Sequence, residues 1–84
     1  MQDINSLIKG MVCAIVDKPD SVSIFHSEDE KGHLYEVEVD PEDIGKVIGK
    51  QGRIASAIRT VAKASGAKNG VKVMVNVLNK PRES

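Results

Sequence analysis

Apolar positions along the chain repeat with two different periods, which predict a mixture of helices and strands. Residues 3–16 carry apolar side chains at helical spacing, and Asp3 suits the N-cap of this helix. Residues 21–27 and 33–39 alternate apolar and polar positions on either side of a polar turn, so they predict an antiparallel hairpin. The side chains expected to point inward from its second strand are Tyr35, Val37 and Val39.

The middle of the chain predicts two helices joined by a glycine-containing loop. Asp40 and Pro41 favour the start of a short helix, and Gly49 favours its end. A longer helix is expected over residues 53–65, with Gly66 as its stop. The inward stripe expected on this helix comprises Ile54, Ile58, Val61, Ala62 and Ser65.

The end of the chain predicts a third strand. Its expected inward positions are Val71, Val73, Val75 and Val77. Met74 and Leu78 face the other way and could form an exposed apolar patch for a partner. The expected fold class is therefore a two-layer α+β fold in the order α-β-β-α-α-β, with three helices packed on a three-stranded sheet. We expect one domain over residues 1–79 and a polar tail over residues 80–84.

Charge is balanced over the whole chain but is segregated along it. The 84 residues include 12 basic and 12 acidic side chains, which excludes a uniformly basic nucleic-acid binder. Residues 20–40 have a net charge of −6, from seven acidic side chains and one lysine. Residues 41–68 have a net charge of +4, from six basic and two acidic side chains. A local basic segment in a neutral chain is consistent with a bound polyanion, although an ordinary solvated surface would also account for it.

Other features of the composition exclude several classes of protein. The single cysteine, Cys13, excludes a disulfide framework and suits a reducing compartment, so we expect a cytoplasmic protein. No apolar run approaches the roughly 20 residues of a membrane span. His26 and His33 flank the hairpin turn without a further ligand at a recognised spacing, so we expect no metal and no cofactor. No nucleophile motif is present, and we expect no enzymatic activity.

The most informative stretch is residues 44–54, in which two glycines lie three positions apart. Gly49 and Gly52 allow a sharp turn and leave no side chain to keep a second backbone away. Lys50 supplies positive charge between them, and Gln51 can hydrogen-bond to sugar or phosphate. A sugar–phosphate strand could therefore lie against this loop.

This stretch carries a resemblance to a known family. The segment Val47-Ile48-Gly49-Lys50-Gln51-Gly52-Arg53-Ile54 resembles the KH-domain signature, a GxxG loop between two helices with aliphatic residues on both sides. The predicted element order is similar to the type II, bacterial form of that domain. Length and architecture resemble the KhpA family of small single-KH RNA-binding proteins. The resemblance implies that the loop holds single-stranded RNA by its backbone while bases enter an adjoining groove.

The resemblance also implies a set of RNA-binding residues at the matching positions. They are Gly45, Lys46, Ile48, Gly49, Lys50, Gln51, Gly52, Arg53 and Ile54. The lysines and the arginine are expected to meet phosphates, with help from the amides that begin the following helix. Gly45 is expected to admit bases into a groove that Ile48 and Ile54 edge.

The biological role expected from the resemblance is that of an RNA chaperone or post-transcriptional regulator. The family's partner in many bacteria is a second KH protein, KhpB (Jag), with roles in cell elongation and wall homeostasis. Because Phe25 and Tyr35 are the only aromatic side chains, there is no base-stacking platform, and one domain should bind weakly. We therefore expect a homodimer, or a heterodimer with a KhpB-like protein, to add avidity.

The sequence is also compatible with three other interpretations. A protein-interaction module without direct RNA binding would also suit a small neutral domain. A helix-turn-helix DNA binder would explain two helices at a glycine-containing turn, but it does not explain the second glycine. The two glycines could also be a helix cap followed by a tight connector. A phosphate-binding P-loop is excluded by spacing, because Lys50 stands where that motif needs glycine.

Overall fold

The computed structural model describes residues 4–78, and its elements follow the predicted order. Their bounds are α1 (Ile4–Cys13), β1 (Ser23–Asp29), β2 (Gly32–Glu38), α2 (Ile44–Ile48), α3 (Arg53–Lys68) and β3 (Val73–Val77). Short 3₁₀ turns lie at Pro19–Ser21, Pro41–Asp43 and Lys50–Gly52. The Asp3 cap and the tail expected over residues 80–84 lie outside the described residues.

The three strands form one mixed sheet in the order β1-β2-β3. β1 and β2 pair antiparallel, which confirms the predicted hairpin, and Tyr35 lies opposite His26. β2 and β3 pair parallel, with Val75 beside Tyr35. Parallel neighbours need a crossover connection, and here α2, the glycine loop and α3 provide it. Because β3 is last in the strand order, it is an edge strand of the sheet. The predicted α+β fold is confirmed.

The core lies between the sheet and the three helices. β2 contributes the three inward side chains that the alternation predicts, since Tyr35, Val37 and Val39 are all buried. The other buried apolar residues are Ile4, Ile8, Val12, Val16, Val22, Val47, Ala55, Ile58, Ala62, Val73, Val75 and Val77. Many of these side chains are valine or alanine. Because these side chains are small, the helices lie close to the sheet, and the stability of the core depends on close packing.

α1 is shorter than the sequence predicts. The expected helix extends to Val16, whereas the observed helix ends at Cys13. The backbone amides of Asp17 and Lys18 donate to the carboxylate of Asp43, at 3.3 and 3.0 Å. These two bonds direct the chain away from the helix axis and towards the start of α2, although Val16 remains buried.

α3 continues past the glycine that was expected to stop it. Gly66 is buried inside the helix, and a Cβ built on it would lie 2.4 Å from Cγ2 of Val73. The absence of a side chain therefore lets α3 pack tightly on β3. The chain instead turns at Gly70, where φ is +75° and glycine adopts the left-handed conformation without strain.

The inward face of α3 also differs from the prediction. The observed buried residues are Ala55, Ile58, Ala62 and Gly66, and Val61 is 43% exposed. Val71, expected inward on the last strand, precedes β3 and is 37% exposed. Met74 and Leu78 are half-buried rather than an open apolar patch.

Candidate nucleic-acid interface

The loop between α2 and α3 has an unusual backbone. Gly49 has φ +74°, Gln51 has φ +56° and Gly52 has φ +72°. Among residues 4–78, Gln51 is the only non-glycine residue with a positive φ. Such conformations are disfavoured for residues with a Cβ, so the loop holds its shape against a local cost. The result is a tight turn that ends one helix and begins the next.

The two glycines of the loop are needed for different reasons. A Cβ on Gly49 would lie 2.7 Å from Cγ1 of Ile54, so this glycine allows the loop to pack on the isoleucine below it. A Cβ on Gly52 would meet nothing within 4 Å. Gly52 is therefore needed for its backbone conformation and not for packing within the protein. The open space beside it is available to a ligand.

Gly45 is a third glycine on the approach to the loop, and the fold does not require it. It lies in α2 with an ordinary helical backbone, and a Cβ there would meet nothing within 4 Å. Its carbonyl accepts a hydrogen bond from the amide of Gly49 at 2.9 Å, so the two glycines lie one turn apart. Gly45 is exposed and adds no side chain to this surface of α2, whereas the Cβ position of Gly49 faces Ile54.

The start of α3 is open to an anion. Its N-cap is Gly52, which provides no side-chain hydrogen bond, and the first turn has no acidic residue. By contrast, the turn before α2 is capped by Asp40, whose carboxylate accepts from the amide of Glu42 at 2.9 Å. The first amides of a 16-residue helix therefore have no side-chain acceptor. These amides and the positive end of the helix dipole favour a bound anion.

The basic residues around the loop fall into two groups. Lys50 and Arg53 are exposed, and neither makes an ion pair within residues 4–78. Lys46 instead bonds the carboxylate of Asp17 and lies 3.7 Å from that of Asp43. The hydrogen bond with Asp17 raises the pKa of Lys46 above its ordinary value of 10.5. Within residues 4–78, two of the three basic residues predicted to contact phosphate thus make no ion pair, whereas Lys46 does.

Asp43 organises the start of α2 from a buried position. Asp43 is only 1% exposed, and its carboxylate accepts hydrogen bonds from the backbone amides of residues 17 and 18. Close by, Lys18 pairs with Glu42 at 2.6 Å and with Asp40 at 3.7 Å. The hydrogen bond with Glu42 and the charges of both carboxylates raise the pKa of Lys18. Sequence patterns did not reveal these pairs, because their partners lie more than 20 residues apart.

Two grooves lie on opposite sides of α3. The groove between α1 and α3, of about 440 Å³, is lined by apolar side chains that include Met11, Ile15 and Val61. Ile54, predicted to edge a base groove, lines this one and lies beneath Gly49. Ile48, at the end of α2, is half-buried against the core.

The second groove lies between α3 and β3 and is basic. Its volume is about 410 Å³, and Lys63 and Lys72 line it together with Val71 and Met74. Arg59 lies at the same junction, where its Nε donates to the carbonyl of Val75 at 3.0 Å. Arg59 and Lys63 both belong to the basic segment of residues 41–68. Their spacing of four residues within the basic segment was the signal that could have indicated a shared groove.

The two histidines form a small cluster at the hairpin. Nε2 of His26 and Nδ1 of His33 share a hydrogen bond at 2.7 Å, and His26 stacks on Tyr35 with ring centroids 4.4 Å apart. Glu28 lies 3.6 Å from His33. Residues 4–78 contain no group of three or more side chains arranged to hold a metal ion.

None of the helices within residues 4–78 is both long and apolar enough to cross a membrane.

Comparison with known proteins agrees with this architecture. The family model described as "KhpA/KhpB, KH domain" matches residues 5–77. The chain belongs to this family. The chain is 47% identical over 72 residues to the RNA-binding protein KhpA of Clostridium perfringens, an alignment that covers 86% of this chain and 96% of that protein. It is 41% identical over 78 residues to the KhpA of Aquifex aeolicus, covering 93% and 99% of the two chains. The resemblance inferred from the glycine loop and the element order is therefore confirmed.

Proposed function

We propose that this protein binds single-stranded RNA by holding the sugar–phosphate backbone against the loop Gly49 to Gly52. The observation that carries the proposal is the start of α3, which has no side-chain cap and follows a loop with the exposed cations Lys50 and Arg53, neither of which makes an ion pair within the described residues. The curated relatives are named as RNA-binding proteins, which supports the same ligand for this chain.

The loop offers a phosphate three kinds of contact. Amides at the start of α3 can donate to its oxygens, and Lys50 adds a charge-assisted hydrogen bond. Gln51 is exposed and can bond to a sugar or phosphate oxygen. Gly52 lets the strand approach without meeting a side chain. These contacts recognise a backbone and not a base, so the loop itself should have little sequence preference.

Charge favours the groove between α3 and β3 as the path of the RNA strand beyond the loop, because cations attract its phosphates. Lys63 and Lys72 line this groove, Arg59 bonds to β3 beside it, and none of the lining residues within 4–78 is acidic. In the groove between α1 and α3, Arg53 is the one charged lining residue among those that the structure describes. Ile54 opens onto that other groove, so its proposed contribution is to hold Gly49 in place. Ile48 is proposed to border the base groove near the loop.

We propose that two KH domains act together in this function. One loop provides few phosphate contacts on a chain of zero net charge, which gives weak binding. A second copy, or a KhpB-like partner, would raise the apparent affinity through avidity. Sedimentation at several protein concentrations, with and without RNA, tests for self-association. A role as an RNA chaperone or post-transcriptional regulator in cell elongation and wall homeostasis is the cellular function that we propose.

Nuclear magnetic resonance of the isotope-labelled protein tests the RNA site directly. On addition of a single-stranded RNA of about eight nucleotides, longer than the roughly four that a KH loop holds, the amides of residues 49–53 should shift most. Amides along the groove between α3 and β3 should show the next largest shifts. If no amide shifts, or if shifts are confined to the groove between α1 and α3, the protein-interaction alternative is favoured and this proposal is wrong.

A further inference from the structure

Lys46 is occupied by a carboxylate in the free protein. Its ammonium bonds Asp17, a residue that precedes it by 29 positions, and it lies 3.7 Å from Asp43. Lys46 belongs to the basic set around the loop and lies four residues before Lys50. A phosphate that meets Lys46 must therefore replace or share the Asp17 carboxylate.

Asp17 is held in this position by its own backbone. Its amide and that of Lys18 donate to the buried carboxylate of Asp43, and this anchors the connector after α1 against the start of α2. These bonds fix the backbone from which the side chain of Asp17 reaches Lys46. Lys18, the next residue in the chain, is paired with Glu42 at 2.6 Å.

The pair is accessible from solvent, in contrast to Asp43. The side chains of Asp17 and Lys46 are 74% and 45% exposed, whereas that of Asp43 is 2% exposed. An exposed ion pair contributes little to stability, so a ligand can exchange for one member of it without unfolding the chain. Asp43 stays behind as a partner for Lys46 when Asp17 is displaced.

We infer that Asp17 is an internal competitor for RNA, whose carboxylate occupies Lys46 in the free protein and so limits the affinity of the loop for phosphate. This inference rests on the proposed function. Removing the Asp17 carboxylate leaves Lys46 with only the more distant carboxylate of Asp43, at 3.7 Å, and lets the lysine make an additional phosphate contact. For single strands, each such contact steepens the dependence of log K on log salt by about 0.7.

The test compares Asp17→Asn with Asp20→Asn, which makes the same change of charge on the nearby 3₁₀ turn Pro19–Ser21. Binding of fluorescein-labelled single-stranded RNA is measured by anisotropy at two salt concentrations. Asp17→Asn should bind about two- to fivefold more tightly at low salt, with a steeper salt slope. Asp20→Asn should bind like the wild type. Both variants should keep the wild-type unfolding midpoint.

A second pair of variants separates competition from general repulsion. In a Lys46→Gln background, Asp17→Asn should no longer improve binding, because there is no cation left to release. If Asp17→Asn and Asp20→Asn improve binding equally, or if neither does, the inference is wrong. The loop variant Lys50→Asp/Gln51→Asp serves as the reference for the proposed function. If that variant binds RNA normally, the proposed function fails, whereas its loss of binding together with an inert Asp17→Asn overturns the competition alone.

Discussion

Replacement of Gly45 by alanine should separate the stability of the fold from its affinity for RNA. Gly45 has a helical backbone in α2, and the new methyl group would meet no atom within 4 Å. Alanine is favoured over glycine in a helix by up to about 1 kcal/mol, and it also reduces the entropy of the unfolded chain. We therefore expect the variant to be as stable as the wild type or more stable.

The same methyl group should weaken RNA binding. It would project from the exposed surface of α2 at Gly45, one turn before Gly49, where the proposed ligand approaches. Forcing a methyl group into a close contact costs about 1–3 kcal/mol. That range corresponds to roughly five- to 150-fold weaker binding.

A matched control is available in α1. Gly10 is also an exposed helical glycine whose Cβ would meet nothing within 4 Å, but it lies outside α2 and the loop. Gly10→Ala should raise stability similarly and leave RNA affinity unchanged. Urea unfolding followed by circular dichroism gives the stability, and labelled RNA is needed for binding because the chain has no tryptophan. If Gly45→Ala is destabilised, the reasoning from open space is wrong. If it is stable and binds RNA normally, Gly45 does not face the ligand.

Three further predictions concern packing and charge. Gly66→Ala should lower the free energy of unfolding by about 1–3 kcal/mol in urea titrations, because its Cβ would lie 2.4 Å from Val73; an unchanged value would contradict the packing described. Asp43→Ala should cost a similar amount, about 1–3 kcal/mol, since two backbone amides lose their acceptor. Glu42→Gln should lower the pKa of Lys18, measured from its side-chain resonances. Because folding raises that pKa above 10.5, the pair stabilises the protein below pH 10.5 and is lost as the pH rises through the folded value.

Strong local patterns predicted most of the fold. The alternation around the hairpin identified Tyr35, Val37 and Val39 as buried, and each is. The cap at Asp40 was also visible in the sequence, since its carboxylate does accept the amide of Glu42. These features depend on neighbours in the chain, so local rules suffice for them.

The inward face of α3 was predicted only in part: Ile58 and Ala62 are buried as expected, whereas Ala55 and Gly66 are buried without having been predicted. The helix approaches the sheet so closely that small residues line the contact, and Gly66 lies against Val73. Val61, the bulkier candidate, is left 43% exposed. A hydrophobicity pattern does not show how far apart two layers are, and that distance decides which face is buried.

The glycine loop was identified from sequence, whereas the electrostatics around it was not. The spacing of Gly49 and Gly52 and the family resemblance placed the candidate site. The pairing of Lys46 with Asp17 and Asp43 depends on a connector and a helix that are distant in sequence. Sequence patterns report charges but not which opposite charge each one meets in the fold.

The central claim is that the loop Gly49 to Gly52 holds single-stranded RNA. The most direct test is the affinity of Lys50→Asp/Gln51→Asp for labelled RNA at two salt concentrations, with Lys31→Asp/Ser27→Asp on the hairpin as a control of equal charge change. Aspartate tolerates the left-handed backbone at residue 51, so the loop variant should fold. Loss of a charge-assisted hydrogen bond, about 1.5–3 kcal/mol, should weaken binding by at least about tenfold. The control should bind far more tightly than the loop variant. Equal affinities for the folded loop variant and the wild type would contradict the claim.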